Sequence, residues 1–347
     1  MRADSSLEHP ETLVVQAENN RTVAADAPRR LRVLTWHVHG SYLQYLARAP
    51  HDFYLPVAPD RDGYAGRGAP YWPANLLDVA AEDVPHTAFD CVLYQSHRNW
   101  LEDRFELLGN EQRGLPSVFL EHDPPREHPT DTAHPVDDPA VLLVHVTPFN
   151  ALMWDSGQTP TAVVEHGVPV PEHARYTGEL ERGLVVVNNL ARRGRRLGAD
   201  VFERVRGRVP LDLVGMGSEE LGGLGEVAHD ELPAFVARYR FLFNPIRYTS
   251  LGLAVIETML IGVPVVALAT TEYATAIENG VSGYVDTDVE RLCEAMERLL
   301  DDPDEARRLG EGARRRAHAR FSIDRFAADW DRVLRSVVSQ QGRKLAA

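Results

Sequence analysis

The sequence predicts an α/β protein built from two parallel-sheet domains. Three observations carry that expectation. The chain has 347 residues, room for about two domains at roughly 150 residues each. Short apolar runs alternate with helical stretches, as in sheets buried on both faces. The alternation breaks at Val168-Pro169-Val170-Pro171, stays irregular to Gly183, and then restarts.

Residues 1–30 are polar and read as a flexible tail with no signal peptide, carrying at most one short strand at Thr12–Val15. Leu31–Trp36 is the first strand, and His37-Val38-His39-Gly40-Ser41 breaks it ahead of a short helix over Tyr42–Ala49. A strand at Asp52–Val57 precedes an irregular Gly/Pro/Asp-rich loop over residues 59–75. Strands follow at Phe89–Tyr94, Ser117–Leu120, Ala140–Val146 and Thr161–Val164, with helices at Trp100–Leu108 and Pro148–Ser156 between them. After the break, strands are expected at 184–187, 211–214, 241–243, 263–268 and 283–285. Helices are expected at 196–206, 230–238 and 252–261. Residues 288–300, 303–320 and 322–338 are amphipathic, and Asp301-Asp302-Pro303 marks the start of the middle one. Ligands of such sheets lie at the carboxyl ends of the strands.

Composition narrows the chemistry. The formal charge of -14 argues against nucleic-acid binding. No run approaches the ~18 apolar residues of a membrane span. Cys91 and Cys293 are too few and too distant for a disulfide framework or a thiolate zinc site, so a cytoplasmic protein is expected. Lys344 is the only lysine among 37 basic residues. A P-loop or a Schiff base is therefore excluded, and any phosphate clamp must use arginine, histidine, backbone N–H groups or a helix end.

Several segments offer such groups. Gly40-Ser41 allows close backbone approach to a ligand. His37 and His39 alternate along the chain, which does not suit a shared metal, and no metal is expected elsewhere. His122 ends a strand before Asp123-Pro124-Pro125, placed to donate to a sugar hydroxyl or a phosphate oxygen; His145, inside a strand, reads as core. Arg192-Arg193-Gly194-Arg195-Arg196 follows a strand, where a diphosphate would offset cations set against the helix dipole. Gly215-x-Gly217 lacks the third glycine of a dinucleotide fingerprint, which counts against a nicotinamide-dependent oxidoreductase. Thr249–Met259 is a small-residue loop entering a helix, whose N-terminus suits a phosphate and whose Glu257 suits ribose hydroxyls.

Those segments resemble the retaining glycosyltransferases of family 4, which have the GT-B fold of two Rossmann-like domains facing across a cleft. The likeness is strongest over residues 184–338. It rests on Gly252–Val266, on Leu213-Val214-Gly215-Met216-Gly217-Ser218, on Ile277–Val285, on Arg320-Phe321-Ser322 and on the Glu165-His166-Gly167-Val168 turn. The resemblance implies an acceptor domain over residues 31–168, a nucleotide-sugar donor domain over 169–320, and a helix over 321–340 crossing back to the first domain. It implies that Glu257 binds the donor ribose and that Gly252 and Leu253 meet the donor phosphate or sugar. Gly40 would lie under the diphosphate, with Arg192 and Gly217 also on the donor side. Arg193 would stand in for the family's phosphate-binding lysine, and His122 would lie near the transferred sugar. Three departures stand out. Thr249 replaces the first glutamate of an E-x7-E pair, Asn189 replaces an arginine, and Thr271-Glu272-Tyr273-Ala274-Thr275 replaces Gly-Gly-x-x-Glu. Arg247 is the candidate compensating cation.

The implied activity is hexose transfer, with retention, from a nucleoside diphosphate sugar to an acceptor hydroxyl, with no separate cofactor. A degenerate member that binds nucleotide or glycan for a partner enzyme is the alternative, and a sugar phosphorylase is a further one. Donor base, sugar, acceptor and oligomeric state stay open.

Overall fold

A computed structural model describes residues 28–59, 64–68, 72–169 and 174–346, with side chains to residue 340. The expected strand at residues 12–15, and parts of the 59–75 loop and of the 168–183 break, lie outside the described residues.

The first sheet is assembled from β1 (Arg32–Thr35), α1 (Gly40–Leu46), β2 (Asp52–Val57), β3 (Leu76–Ala80), β4 (Cys91–Tyr94), α2 (Arg104–Leu107), α3 (Asn110–Arg113), β5 (Ser117–Glu121), β6 (Val141–His145), α4 (Pro148–Met153) and β7 (Thr161–Val163). The second comes from β8 (Leu180–Val186), α5 (Leu190–Leu197), α6 (Ala199–Arg206), β9 (Leu211–Val214), α7 (Leu232–Val236), β10 (Tyr239–Asn244), α8 (Leu253–Ile261), β11 (Val265–Leu268), α9 (Tyr273–Ala276) and β12 (Gly283–Asp286). Helices α10 (Val289–Asp301), α11 (Pro303–Arg320) and α12 (Ile323–Ala346) close the chain.

All pairings between these strands are parallel. Strand order is β3-β2-β1-β4-β5-β6-β7 in one sheet and β12-β11-β10-β8-β9 in the other. Central strands such as β4 (CVLY) and β11 (VVAL) are buried at every position, which their uninterrupted apolar sequence requires. Chain order reverses beside β1 in the first sheet and beside β8 in the second. A crevice therefore opens past the carboxyl ends of β1 and β4 on one side, and of β8 and β10 on the other. Gly40 follows β1, Arg192 and Arg193 follow β8, and Arg247, Gly252, Leu253 and Glu257 follow β10, while His122 and Gly217 follow the neighbouring strands β5 and β9.

Two local predictions need correction. Strand β3 was not expected; Leu-Leu-Asp-Val-Ala is a half-exposed edge strand with a weak apolar pattern. The arginine run does not precede a helix but lies within α5, which kinks at Gly194 (φ +55°). A glycine at a positive φ permits that kink, and the sequence shows it only as a break between two arginine pairs.

Helix α12 returns to the first sheet, and Trp330 Nε1 donates to Tyr42 Oη on α1 at 3.1 Å. The 165–168 turn lies beneath it. A Cβ at Gly167 would overlap Phe326, so only glycine allows the turn to approach the helix. Arg320 Nε donates to Glu165 at 2.8 Å, and Arg325 Nη2 to the carbonyls of Glu165 and His166 at 2.7 and 2.6 Å. Buried Glu272, in the segment that departs from the family pattern, accepts from Phe149 N of α4 at 3.1 Å and from Arg320. These contacts tie the two sheets together around the crevice.

Candidate functional site

Two adjoining cavities of about 330 Å³ each occupy the crevice. The first lies at the ends of β8 and β9 and is lined by Asn188, Gly215, Glu226, His229, Ala254 and Glu257, with Ser41 reaching in from the first domain. The second lies between the domains, with His39, Gly40, Tyr42, His122 and His166 on one side and Thr249–Leu253 on the other.

Glu257 is the only ionisable residue of α8, an otherwise apolar helix. Burial raises its carboxyl pKa, while nearby His229 and a hydrogen bond from Tyr45 oppose that shift. Tyr45 belongs to α1 of the first domain, and its hydroxyl lies 3.2 Å from Glu257 Oε1. One glycine-capped helix end thus supplies two things. The first turn of α8 has no acidic side chain and no side-chain cap; Val255 N donates to the Gly252 carbonyl at 3.1 Å, and the N–H groups of Leu253 and Ala254 are left open to an anion. One turn further on, a carboxylate with unused lone pairs faces a cavity.

Arg193 is half-buried, and its side chain makes no hydrogen bond or ion pair with the described residues. Burial lowers its pKa most, followed by the like charge of Arg196 and then of Arg126 across the crevice; Asp123 opposes them. It is a partly desolvated cation in excess of its anions, a setting that favours a bound anion.

Arg247 is placed differently from the expectation. Its guanidinium is clamped on Asp200 by bonds of 2.6 and 2.8 Å and also donates to the Arg195 carbonyl. It braces α5 against α6 rather than standing free as a replacement cation. Arg192 is exposed, whereas Arg193 is half-buried; neither lines the two crevice cavities, and Arg193 stands at their edge within electrostatic reach of Arg126 and Asp123. Gly217 (φ +68°) serves the tight turn after β9, and Gly215 is the glycine that lines the first cavity.

The histidines on the first-domain side are neutral donors and acceptors. His122 packs edge-on against His39 and Tyr42, with ring centroids 4.4 and 4.9 Å away. Burial drives its pKa well below the ordinary value, followed by the influence of His39. Burial likewise lowers His39, and brings His166 to about 4. A neutral imidazole here exchanges hydrogen bonds with hydroxyls; it does not supply a cation to a phosphate.

A third cavity of about 540 Å³ opens from His39, His122 and Asp123 into the first domain, past Gln95, His97, Arg126 and Trp154. Glu121 Oε2 there lies 3.2 Å from both His97 Nε2 and His134 Nε2, and Oε1 accepts from Asp123 N at 2.9 Å. Burial acts to raise the Glu121 pKa, but these hydrogen bonds outweigh it and hold it at about 2. The trio has the spacing of a metal site. However, Val136 N donates to His134 Nδ1 at 3.1 Å, which leaves the ring proton on Nε2, pointed at Glu121. A metal there would require His134 to lose that proton as well, so these three side chains form a hydrogen-bonded support and not a metal site.

Sequence reasoning missed Tyr45, Asn188 and His229. All come from loops or helix faces without a motif of their own, and only the folded crevice brings them to Glu257. Among the described residues no helix is long and apolar enough to cross a membrane.

Comparisons with known proteins agree with this geometry. Residues 181–302 match the family described as Glycosyl transferases group 1. A 101-residue stretch is 31% identical to the alpha-D-kanosaminyltransferase of Streptomyces kanamyceticus, covering 28% of this chain and 26% of that protein. A 128-residue stretch is 30% identical to the MMP alpha-(1->4)-mannosyltransferase of Mycolicibacterium hassiacum, covering 34% and 31%. The matches thus span about a quarter to a third of these relatives. Structural likeness extends further. Sucrose-phosphate synthase from Thermosynechococcus elongatus superposes with a TM-score of 0.68 at 16% identity, over 90% of this chain and 100% of that one. HepE from Anabaena, solved with UDP and glucose, gives 0.64 at 13% identity over 88% and 100%. Two parallel sheets facing across a crevice give this chain the GT-B fold, and residues 181–302, on the Glu257 side, match the family described as Glycosyl transferases group 1.

Proposed function

We propose that this protein is a retaining glycosyltransferase that moves a hexose from a nucleoside diphosphate sugar to an acceptor hydroxyl. The observation that carries this is the convergence of three groups on one crevice: Glu257 on a nucleoside-sized cavity, the open N-terminus of α8, and unpaired Arg193. The ribose hydroxyls donate to Glu257. The diphosphate sits against the α8 N-terminus and the Gly40 loop, with Arg193 as counter-charge. As the glycosidic bond breaks, negative charge grows on the leaving phosphate, where these donors act most strongly. Neutral His122, His39 and His166 bind hydroxyls of the hexose. The acceptor enters through the cavity lined by His97 and Trp154, and its hydroxyl oxygen bonds to the anomeric carbon from the face on which the carbon–oxygen bond to the phosphate breaks, the leaving phosphate taking the hydroxyl proton. Closure of the two domains excludes water that would hydrolyse the donor. Cys91 and Cys293 are free and buried, in keeping with a reducing cytoplasmic setting.

One observation favours a second reading. Thr249 lines the interdomain cavity where the family pattern has a glutamate, which suits a degenerate member that binds donor without turning it over. The test is incubation with UDP-, GDP- and ADP-hexoses and a panel of hydroxylated acceptors, following nucleoside diphosphate release and the anomeric coupling constant of the product. Acceptor-dependent release with an α-linked product from an α-linked donor supports transfer with retention. Tight nucleotide binding without release supports the second reading.

A further inference from the structure

The geometry points to Tyr45, from the opposite domain, as a positioning residue of the nucleotide site: it fixes the Glu257 carboxylate for the ribose, so nucleoside affinity depends on the acceptor domain. This rests on the nucleotide-sugar reading above.

Tyr45 is buried, and its ring packs into the first-domain core. Only its hydroxyl crosses the crevice, to Glu257 Oε1 at 3.2 Å. That is the one hydrogen bond Glu257 makes with the described residues. A glutamate side chain has three rotatable torsions, and apart from the nearby charge of His229 no other group among the described residues fixes the direction of its carboxylate by a hydrogen bond. An ionised carboxylate offers about four lone-pair sites. With Tyr45 on one of them, the second site on Oε1 and both on Oε2 remain for the two ribose hydroxyls.

Tyr45 is itself held from the other side. Tyr42, three residues earlier on the same face of α1, accepts from Trp330 of α12. Helix α1 therefore contacts the donor domain at Glu257 and the crossing helix at Trp330, and its N-terminal residues Gly40 and Ser41 line the crevice cavities. A shift of the first domain relative to the second moves the group that orients the ribose-binding carboxylate.

The test uses Tyr45→Phe, which removes one hydroxyl and keeps the ring. Binding of UDP, GDP and ADP, and of their 2′-deoxy counterparts, is measured by calorimetry on the full chain, with thermal midpoints recorded as a check on folding. For the nucleotide that the parent protein binds, the variant is expected to weaken affinity about tenfold. For the 2′-deoxy form, which gives up half of the Glu257 contact, the loss is expected to fall below about threefold. Equal losses for both forms would mean that Tyr45 only supports the interface, and unchanged or tighter binding would mean that its hydroxyl does not position Glu257; either result overturns the inference. A parent protein that binds none of the three ribonucleotides removes the nucleotide reading itself, and this inference with it.

Discussion

Replacing His145 with leucine should make the first domain much less sensitive to mild acid. His145 lies in β6 with no exposed surface, and neither ring nitrogen has a hydrogen-bond partner. Burial lowers its pKa to about 4 from an ordinary 6.5, opposed by nearby Glu121. The folded state therefore resists protonation that the unfolded chain accepts. Between pH 6.5 and pH 4 the unfolded state binds more protons, so stability falls as the pH drops through that window and the contribution is fully present only above it. From pH 7 to pH 5, one such group removes about 2 kcal/mol. His51 and His166, also lowered to about 4, act in the same window but are common to both proteins and cancel in the comparison. Leucine has nearly the volume of histidine and no polar atoms, so it should fold at pH 7 with equal stability or a gain of ~1 kcal/mol. The assay is urea unfolding at pH 7 and pH 5 followed by tryptophan fluorescence. Four of the five tryptophans, at 36, 72, 100 and 154, lie in the first domain, and the fifth, Trp330, packs on it. The variant should lose about 2 kcal/mol less than the parent between the two pH values. An identical loss in both proteins would refute the assignment of His145 as a proton-excluding core residue.

The two arginines should separate cleanly. Arg193→Gln removes the unpaired crevice cation and should weaken nucleoside diphosphate binding about a hundredfold, with little change in melting temperature; a charge ~4 Å away at an effective dielectric near 20 is worth about 4 kcal/mol before solvent screening. Arg247→Gln breaks the clamp on Asp200 and should cost ~1 kcal/mol of stability, since both partners are about a third exposed, while changing affinity less than threefold. Equal effects of the two on affinity would return Arg247 to the donor site. Glu272→Ala should destabilise by about 3 kcal/mol, because it leaves Arg320 and Phe149 N short of an acceptor in a buried place. Differential scanning calorimetry checks it, and a melting temperature unchanged within a degree would contradict a role in holding the domains together.

The sequence carried much of this architecture. Uninterrupted apolar runs such as Cys91–Tyr94 and Val265–Leu268 can only be strands buried on both faces, and their alternation with helices leads to parallel sheets. Asp302-Pro303 was legible as a helix start, and Asp302 does cap α11. Edge strand β3 was not legible, because half of its residues face outward and its pattern resembles that of a loop. Gly252, Leu253 and Glu257 could be picked out together because one continuous loop-to-helix segment holds them, and the fold brings that segment to the crevice. Arg247 was misjudged because its partner Asp200 lies 47 residues earlier on α6, and nothing in sequence spacing shows that pairing. The same holds for Tyr45 and Glu257, which are 212 residues apart. Composition removed lysine from any phosphate clamp and left arginine as its only strong permanent cation. It did not show which arginine lacks an anion, because that depends on packing.

The most direct test of nucleotide-sugar recognition at Glu257 is calorimetric titration with UDP, GDP, ADP and NAD, on the parent protein and on Glu257→Ala. The expected result is micromolar binding of one nucleoside diphosphate, at least tenfold weaker in the variant, with NAD silent. Binding that ignores the loss of Glu257, or no diphosphate binding at all, would contradict a donor ribose at this carboxylate.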